Sequence, residues 1–111
     1  MVEGYESLAK NYFAKWNAHD LVGLKELMHP SVVLWDWENK AQGLEQVIQL
    51  NADIFLSAPQ INAEVINLFT KSDAVGAELK VNVTNIESID VFDILKFNQD
   101  GKIILIKAFK C

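Results

Sequence analysis

The hydrophobic pattern changes period midway along this chain, and few folds can absorb such a change. As far as Phe55, apolar residues recur mostly every three or four positions; from Ile61 onward they recur every second position. The first spacing is that of helices with one buried face, the second that of strands with one buried face. Tyr5, Leu8, Ala9, Tyr12, Phe13 and Trp16 form one apolar stripe, predicting a helix over Glu3 to Ala18. Asp20 is placed to cap a short second helix carrying Leu21, Leu24, Leu27 and Met28, which Pro30 is expected to end. Ser31 to Trp37 is β-branched and aromatic and predicts a strand, with a turn at Glu38-Asn39-Lys40. A third helix is expected after Gly43, with Leu44, Val47, Ile48, Ile54 and Phe55 inward, stopping before Pro59.

The second half predicts four strands joined by turns. Ile61, Ala63, Val65, Asn67 and Phe69 alternate along the first, and Lys71-Ser72-Asp73 turns the chain. Val75, Ala77, Leu79, Val81 and Val83 alternate along the next. Ile89 to Phe97 and Lys102 to Lys110 complete the set, joined by a hairpin loop in which Gly101 supplies positive φ. Helices followed by hairpins imply an α+β fold: a curved antiparallel sheet packed against three N-terminal helices, in one domain spanning residues 1–111.

Charge narrows the function. All ten basic residues are lysine against fifteen acids, a net charge of −5. That balance repels phosphate backbones and anionic membrane surfaces, and without arginine the usual bidentate reader of bases is missing. Neither nucleic acid nor membrane is an expected partner. The one cysteine, Cys111, cannot form an intrachain disulfide. The first residues lack a basic, apolar leader, and no apolar run reaches the ~18 residues of a membrane helix, so a cytoplasmic protein is expected. His19 and His29 lack the companions of a metal site, and the glycines form no phosphate loop, so neither metal nor cofactor is expected.

Four polar residues interrupt apolar faces. Asp93 shares a strand face with Val91, Leu95 and Phe97; Tyr12 sits within the first helical stripe; Asp36 lies between Trp35 and Trp37; Asn51 lies four residues from both Val47 and Phe55. Three have an ordinary structural reading: Asp36 facing solvent at a strand end, Asn51 as a half-buried boundary residue, Tyr12 as core packing. Asp93 is harder to absorb, because an unpaired carboxylate among apolar groups costs several kcal/mol. Desolvation would keep it protonated, and a neutral carboxylic acid is a strong hydrogen-bond donor.

The run Asp90-Val91-Phe92-Asp93-Ile94-Leu95-Lys96-Phe97 followed by Gly101-Lys102-Ile103 is similar to a motif of a known superfamily. Asn17-Ala18-His19-Asp20-Leu21 and Met28-His29-Pro30-Ser31-Val32 add to the likeness. From Leu8 to Phe109 the chain resembles the cone-shaped superfamily of nuclear transport factor 2, ketosteroid isomerase and the SnoaL-like polyketide cyclases. The resemblance implies that Asp36 is a catalytic base, with Tyr12 and a protonated Asp93 as donors to an enolate oxygen. It implies a ligand pocket that includes Trp16, Trp35, Asn51, Phe55 and Leu95, and Asn51 stands where the isomerases have a supporting tyrosine. The epoxide hydrolases of this fold need an arginine that is absent here, and its dehydratases need inward histidines. Two readings stay open: a cofactor-free isomerase or cyclase acting on a small apolar carbonyl or phenol-like compound, and a non-catalytic small-molecule-binding or protein-association module. A homodimer through the sheet is also implied, with Phe92, Ile94, Ile104 and Ile106 facing away from Asp93.

Overall fold

A computed structural model describes residues 4–111. The first helix, α1, runs Tyr5–Asn17; the start expected at Glu3 lies outside the described residues. Helix α2 is Leu21–Leu27, and the Asp20 carboxylate accepts from the Gly23 amide at 2.9 Å, satisfying one of the free donors of its first turn. Strand β1 follows directly as Met28–Trp35. Pro30 and His29 therefore lie inside a strand, and Met28 belongs to that strand rather than to the helix. The proline is tolerated because pairing of β1 with its neighbour is interrupted between Met28 and Val33.

A short strand that the pattern did not reveal, β2 (Lys40–Gln42), pairs back onto β1. Helix α3 is Leu44–Ser57, entered through Gly43 at φ 89°, a conformation suited to glycine. Strands β3 (Asn62–Lys71), β4 (Ala74–Asn82), β5 (Ser88–Phe97) and β6 (Ile103–Lys110) complete a six-stranded sheet in the order β2-β1-β6-β5-β4-β3. All pairs are antiparallel except β1 with β6, which is parallel.

Irregularities in the ladders change which side chains face the helices. Between Val65 and Asn67 a bulge reverses the phase of β3, so Leu68 pairs with inward Ala77 while Phe69 stands outside, 55% exposed. The single inward row expected from Ile61 to Phe69 is therefore broken. On β6 a second irregularity pairs Phe97 with Ile103 but Leu95 with Ile106, so Ile106 faces inward and is 2% exposed. Gly101 takes the expected positive φ, at 78°.

Both long helices pack on the inner face, but on opposite edges. Helix α1 lies against β3 and β4, α3 against β1 and β2. The Asn17 side chain ties the end of α1 to β3, donating to the Ala63 carbonyl at 2.9 Å and accepting from its amide at 2.7 Å. The Gly43 amide donates to the Val32 carbonyl at 2.8 Å and ties the start of α3 to β1. At one end Tyr5 stacks on Phe97, ring centres 5.2 Å apart, and closes the space between the helices. Elsewhere the inner face of β5 and β6 stays open beneath the gap. Among the described residues no helix is long and apolar enough to cross a membrane.

Replacing Asn17 with alanine leaves both backbone groups of buried Ala63 without these partners. The expected loss is about 2 kcal/mol of folding stability, measured by urea denaturation.

Candidate functional site

The gap between the helices is a cavity of about 270 Å³ over the centre of the sheet. Its deep wall is Tyr12 and Phe13 of α1 against Leu34, Asp93 and Ile106. Its mouth is formed by the turn after β1, from Asp36 to Asn39, and by Val83 and Ile89 beside the β4–β5 hairpin. The remaining walls are almost wholly apolar.

Asp93 occupies the middle of β5, directly between Ala77 on β4 and Ala108 on β6. Alanine on both sides leaves room above the carboxyl, and no neighbouring side chain supplies a counter-charge. Asp93 is 8% exposed. Burial, and secondarily the negative charge of Asp36, push its pKa up to about 7. Burial, together with the charge of Asp93, drives the Tyr12 phenol above its ordinary range. Every fully enclosed side-chain nitrogen and oxygen among the described residues has a hydrogen-bond partner. The polar ends of Tyr12 and Asp93, which bond to none of the described residues, are therefore open to the cavity. Two polar groups with raised pKa thus share one apolar chamber, Asp93 divided between acid and carboxylate near neutral pH.

Asp36 is built differently. It follows the last residue of β1, and its Oδ1 accepts from the backbone amides of Glu38 at 2.8 Å and Asn39 at 2.6 Å. Its own amide donates to the Asn39 carbonyl at 2.9 Å. This tight turn is specified by aspartate itself and fixes the carboxylate at the mouth, half-buried, with Oδ2 outside those bonds.

Asn51 and Trp16 both line the cavity. The Trp16 indole donates to Asn51 Oδ1 at 3.0 Å, and Asn51 Nδ2 donates to the Val47 carbonyl at 3.0 Å. Asn51 therefore binds α1 to α3 and holds the Trp16 ring in place. The three other expected pocket residues lie elsewhere. Trp35 points to the outer face of the sheet, because β1 ends there and the Asp36 turn brings Trp37 to the cavity in its stead. Phe55 is packed against Trp16 at 5.2 Å and stacked on His19 at 4.1 Å, outside the lining. Leu95 is on the correct face but deeper, fully buried in the closed core. Alternation reveals a face and not a depth.

The walls missed by the sequence reading include Val81, Val91, Ile106 and Ala108. For Val81 and Val91 the signal was present in the period-two rows; for Ile106 and Ala108 it was hidden by the irregularity in β6. His19, at φ 53°, bonds the Ile61 carbonyl through Nε2 at 2.8 Å and has a structural part. No group of three potential metal-ligating side chains gathers among the described residues.

The model of the SnoaL-like domain family matches residues 9–106. No curated protein sequence matches significantly. A SnoaL-like protein of unknown function from Burkholderia thailandensis superposes with a TM-score of 0.86 at 15% identity, covering 100% of this chain and 98% of its own. A polyketide cyclase candidate from Sinorhizobium meliloti gives 0.84 at 18% identity, covering 92% and 93%. A ketosteroid isomerase candidate from Kribbella flavida gives 0.85 at 15%, covering 96% and 77%. At these identities the structural likeness speaks to the fold.

The raised pKa of Asp93 predicts the sign of a pH effect on stability. Below about pH 4 the folded and unfolded chains both hold this proton. Between about pH 4 and the folded value of about 7 only the folded chain holds it, so stability falls as pH rises through that window. Asp93→Asn is expected to remove this slope. At pH 8 it should exceed the parent by roughly 2–4 kcal/mol in urea denaturation.

Proposed function

The chain belongs to the SnoaL-like domain family, and on that footing we propose that it is a cofactor-free enzyme that moves a proton beside a carbonyl group. The observation that carries this reading is the sharing of one cavity by two buried, unpartnered donors and a carboxylate at its mouth. A carbonyl oxygen lodged between Tyr12 and Asp93 would meet two O–H donors in an apolar, water-poor space. There they stabilise developing negative charge far better than water-exposed donors would. Asp36 takes a proton from the adjacent carbon; electrons shift onto the oxygen; the enolate is held by the two donors; and the proton returns to carbon. The names of the two candidate neighbours, a cyclase and an isomerase, support the same class of chemistry. A cavity of about 270 Å³ suits a compound of one or two rings.

A second reading rests on the Asp36 turn. Because Oδ1 is engaged by two backbone amides, Asp36 has a complete structural reason for being aspartate. On this reading the cavity binds a phenol or ketone without turning it over.

Two compounds separate the readings. Deuterium uptake at the α-carbon of 2-tetralone, followed by NMR, should be accelerated by the protein and fall at least about 100-fold in Asp36→Asn. The affinity for 2-naphthol, a mimic of the enolate, should be unchanged in Asp36→Asn but weaken roughly 10- to 100-fold in Asp93→Leu. Binding of 2-naphthol without any exchange of 2-tetralone would establish the second reading.

The proposal extends to a two-fold dimer through the outer sheet face. Phe92, Ile94 and Leu105 lie there on adjoining strands, with Phe69 beyond them on β3. The tip of the Phe92 ring lies over Gly76, where even a methyl group would come within 2.6 Å of it. Among the described residues no helix covers this face, and an apolar patch of such residues is costly to leave in water. The face differs from the sequence expectation, with Leu105 outward in place of Ile106. Sedimentation at micromolar concentration should show twice the chain mass, and Leu105→Lys should return it to the monomer.

A further inference from the structure

We infer that the ligand of the central cavity carries an anionic tail, which leaves the mouth and lies in a second, cationic notch. The inference rests on the proposed use of the cavity and adds the class of molecule it takes.

Strand β6 outruns β1. Their last pair is Trp35 with Lys107, so Ala108, Phe109 and Lys110 pair with β5 alone and have no strand on the β1 side. The resulting notch has a volume of about 390 Å³. It shares Asp36, Trp37 and Ala108 with the central cavity, so the two spaces are neighbours at the mouth. A ligand crossing that boundary would pass the candidate base.

The notch differs in character from the cavity. Lys107 and Lys110 line it, and Lys107 Nζ lies 5.2 Å from the centre of the Trp35 ring. Lys40 Nζ approaches the same ring at 5.0 Å. Among the described residues the ion pairs are Lys10 with Glu6 and Lys15 with Asp20, so these three lysines have no carboxylate partner. Asp36 is the only acid among the described residues lining the notch, and its Oδ1 is held by turn amides. In a chain of net charge −5, Lys107 and Lys110 in the notch and Lys40 beside Trp35 form a local attraction for anions. Trp35 and Trp37 offer apolar surface for the stem of a tail between its two ends.

The ligand is therefore an apolar ring ketone or phenol bearing a short chain that ends in a carboxylate or comparable anion. The test compares 4-(6-hydroxynaphthalen-2-yl)butanoate with its methyl ester by fluorescence titration in about 20 mM salt. The acid should bind about 10-fold more tightly than the ester. That advantage should shrink below about twofold in 0.5 M sodium chloride, where exposed charges are screened. It should also vanish in Lys107→Gln/Lys110→Gln and be reduced in Lys110→Gln alone. Retained affinity of each variant for 2-naphthol shows that the cavity is intact. An ester that binds as well as the acid overturns the tail while leaving the cavity reading in place. Failure of acid, ester and 2-naphthol alike overturns both.

Discussion

Two tethers at opposite edges of the sheet hold the long helices apart, and the site follows from that separation. The Asn17 side chain fastens α1 to Ala63 on β3, and the Gly43 amide fastens α3 to Val32 on β1. Helices free to slide would meet over the centre of the sheet, where apolar burial is greatest. Held at the edges, they leave β5 and β6 uncovered on the inner face. Trp16 and Asn51 bridge the gap at one level, and the Tyr5–Phe97 stack closes one end. What remains is a chamber with its opening at the Asp36 turn.

The chamber makes its own chemistry. Burial raises the pKa of both Tyr12 and Asp93, so the protonated form of each persists to higher pH than it would in water. Small side chains are as important here as polar ones. Ala77 and Ala108 flank Asp93 and neither cover nor neutralise it. Near neutral pH the carboxyl sits at its own midpoint, so the folded chain carries a cost in stability that a leucine would avoid. A polar group maintained at that cost, within an otherwise consistent apolar pattern, is where a fold departs from stability for another end.

Much of this was legible in the sequence. Period alone located the three helices and most of the strands, and the break in pattern at Asp93 was visible without coordinates. Tyr12 and Asp36 were also visible as polar groups in apolar or aromatic settings. What stayed hidden has a common physical origin. Each ladder irregularity depends on the partner strand, so the reversal at Ile66 and the inward turn of Ile106 cannot be inferred from one strand's own alternation. The exchange of Trp35 for Trp37 at the cavity depends on where β1 stops, which is set by the Asp36 side chain capturing two amides. Leu95 and Phe55 were assigned to the pocket by face, whereas their depth is decided by what closes the cone. Strand β2, three residues long, is too short for any period to register.

The parallel pairing of β1 with β6 also sets an order in time. Strand β1 precedes every other strand described, yet its partner in the centre of the sheet is β6, which follows all of them. Trp35 must wait for Lys107, and until they meet Asp36 has no fixed position relative to Asp93. Local helices and the β3–β4 and β4–β5 hairpins form from near neighbours, whereas this closure spans most of the chain and is the kind of contact that slows folding. A nascent chain therefore holds its helices and hairpins before it holds a site. The carboxylates are brought together only once β6 has been made.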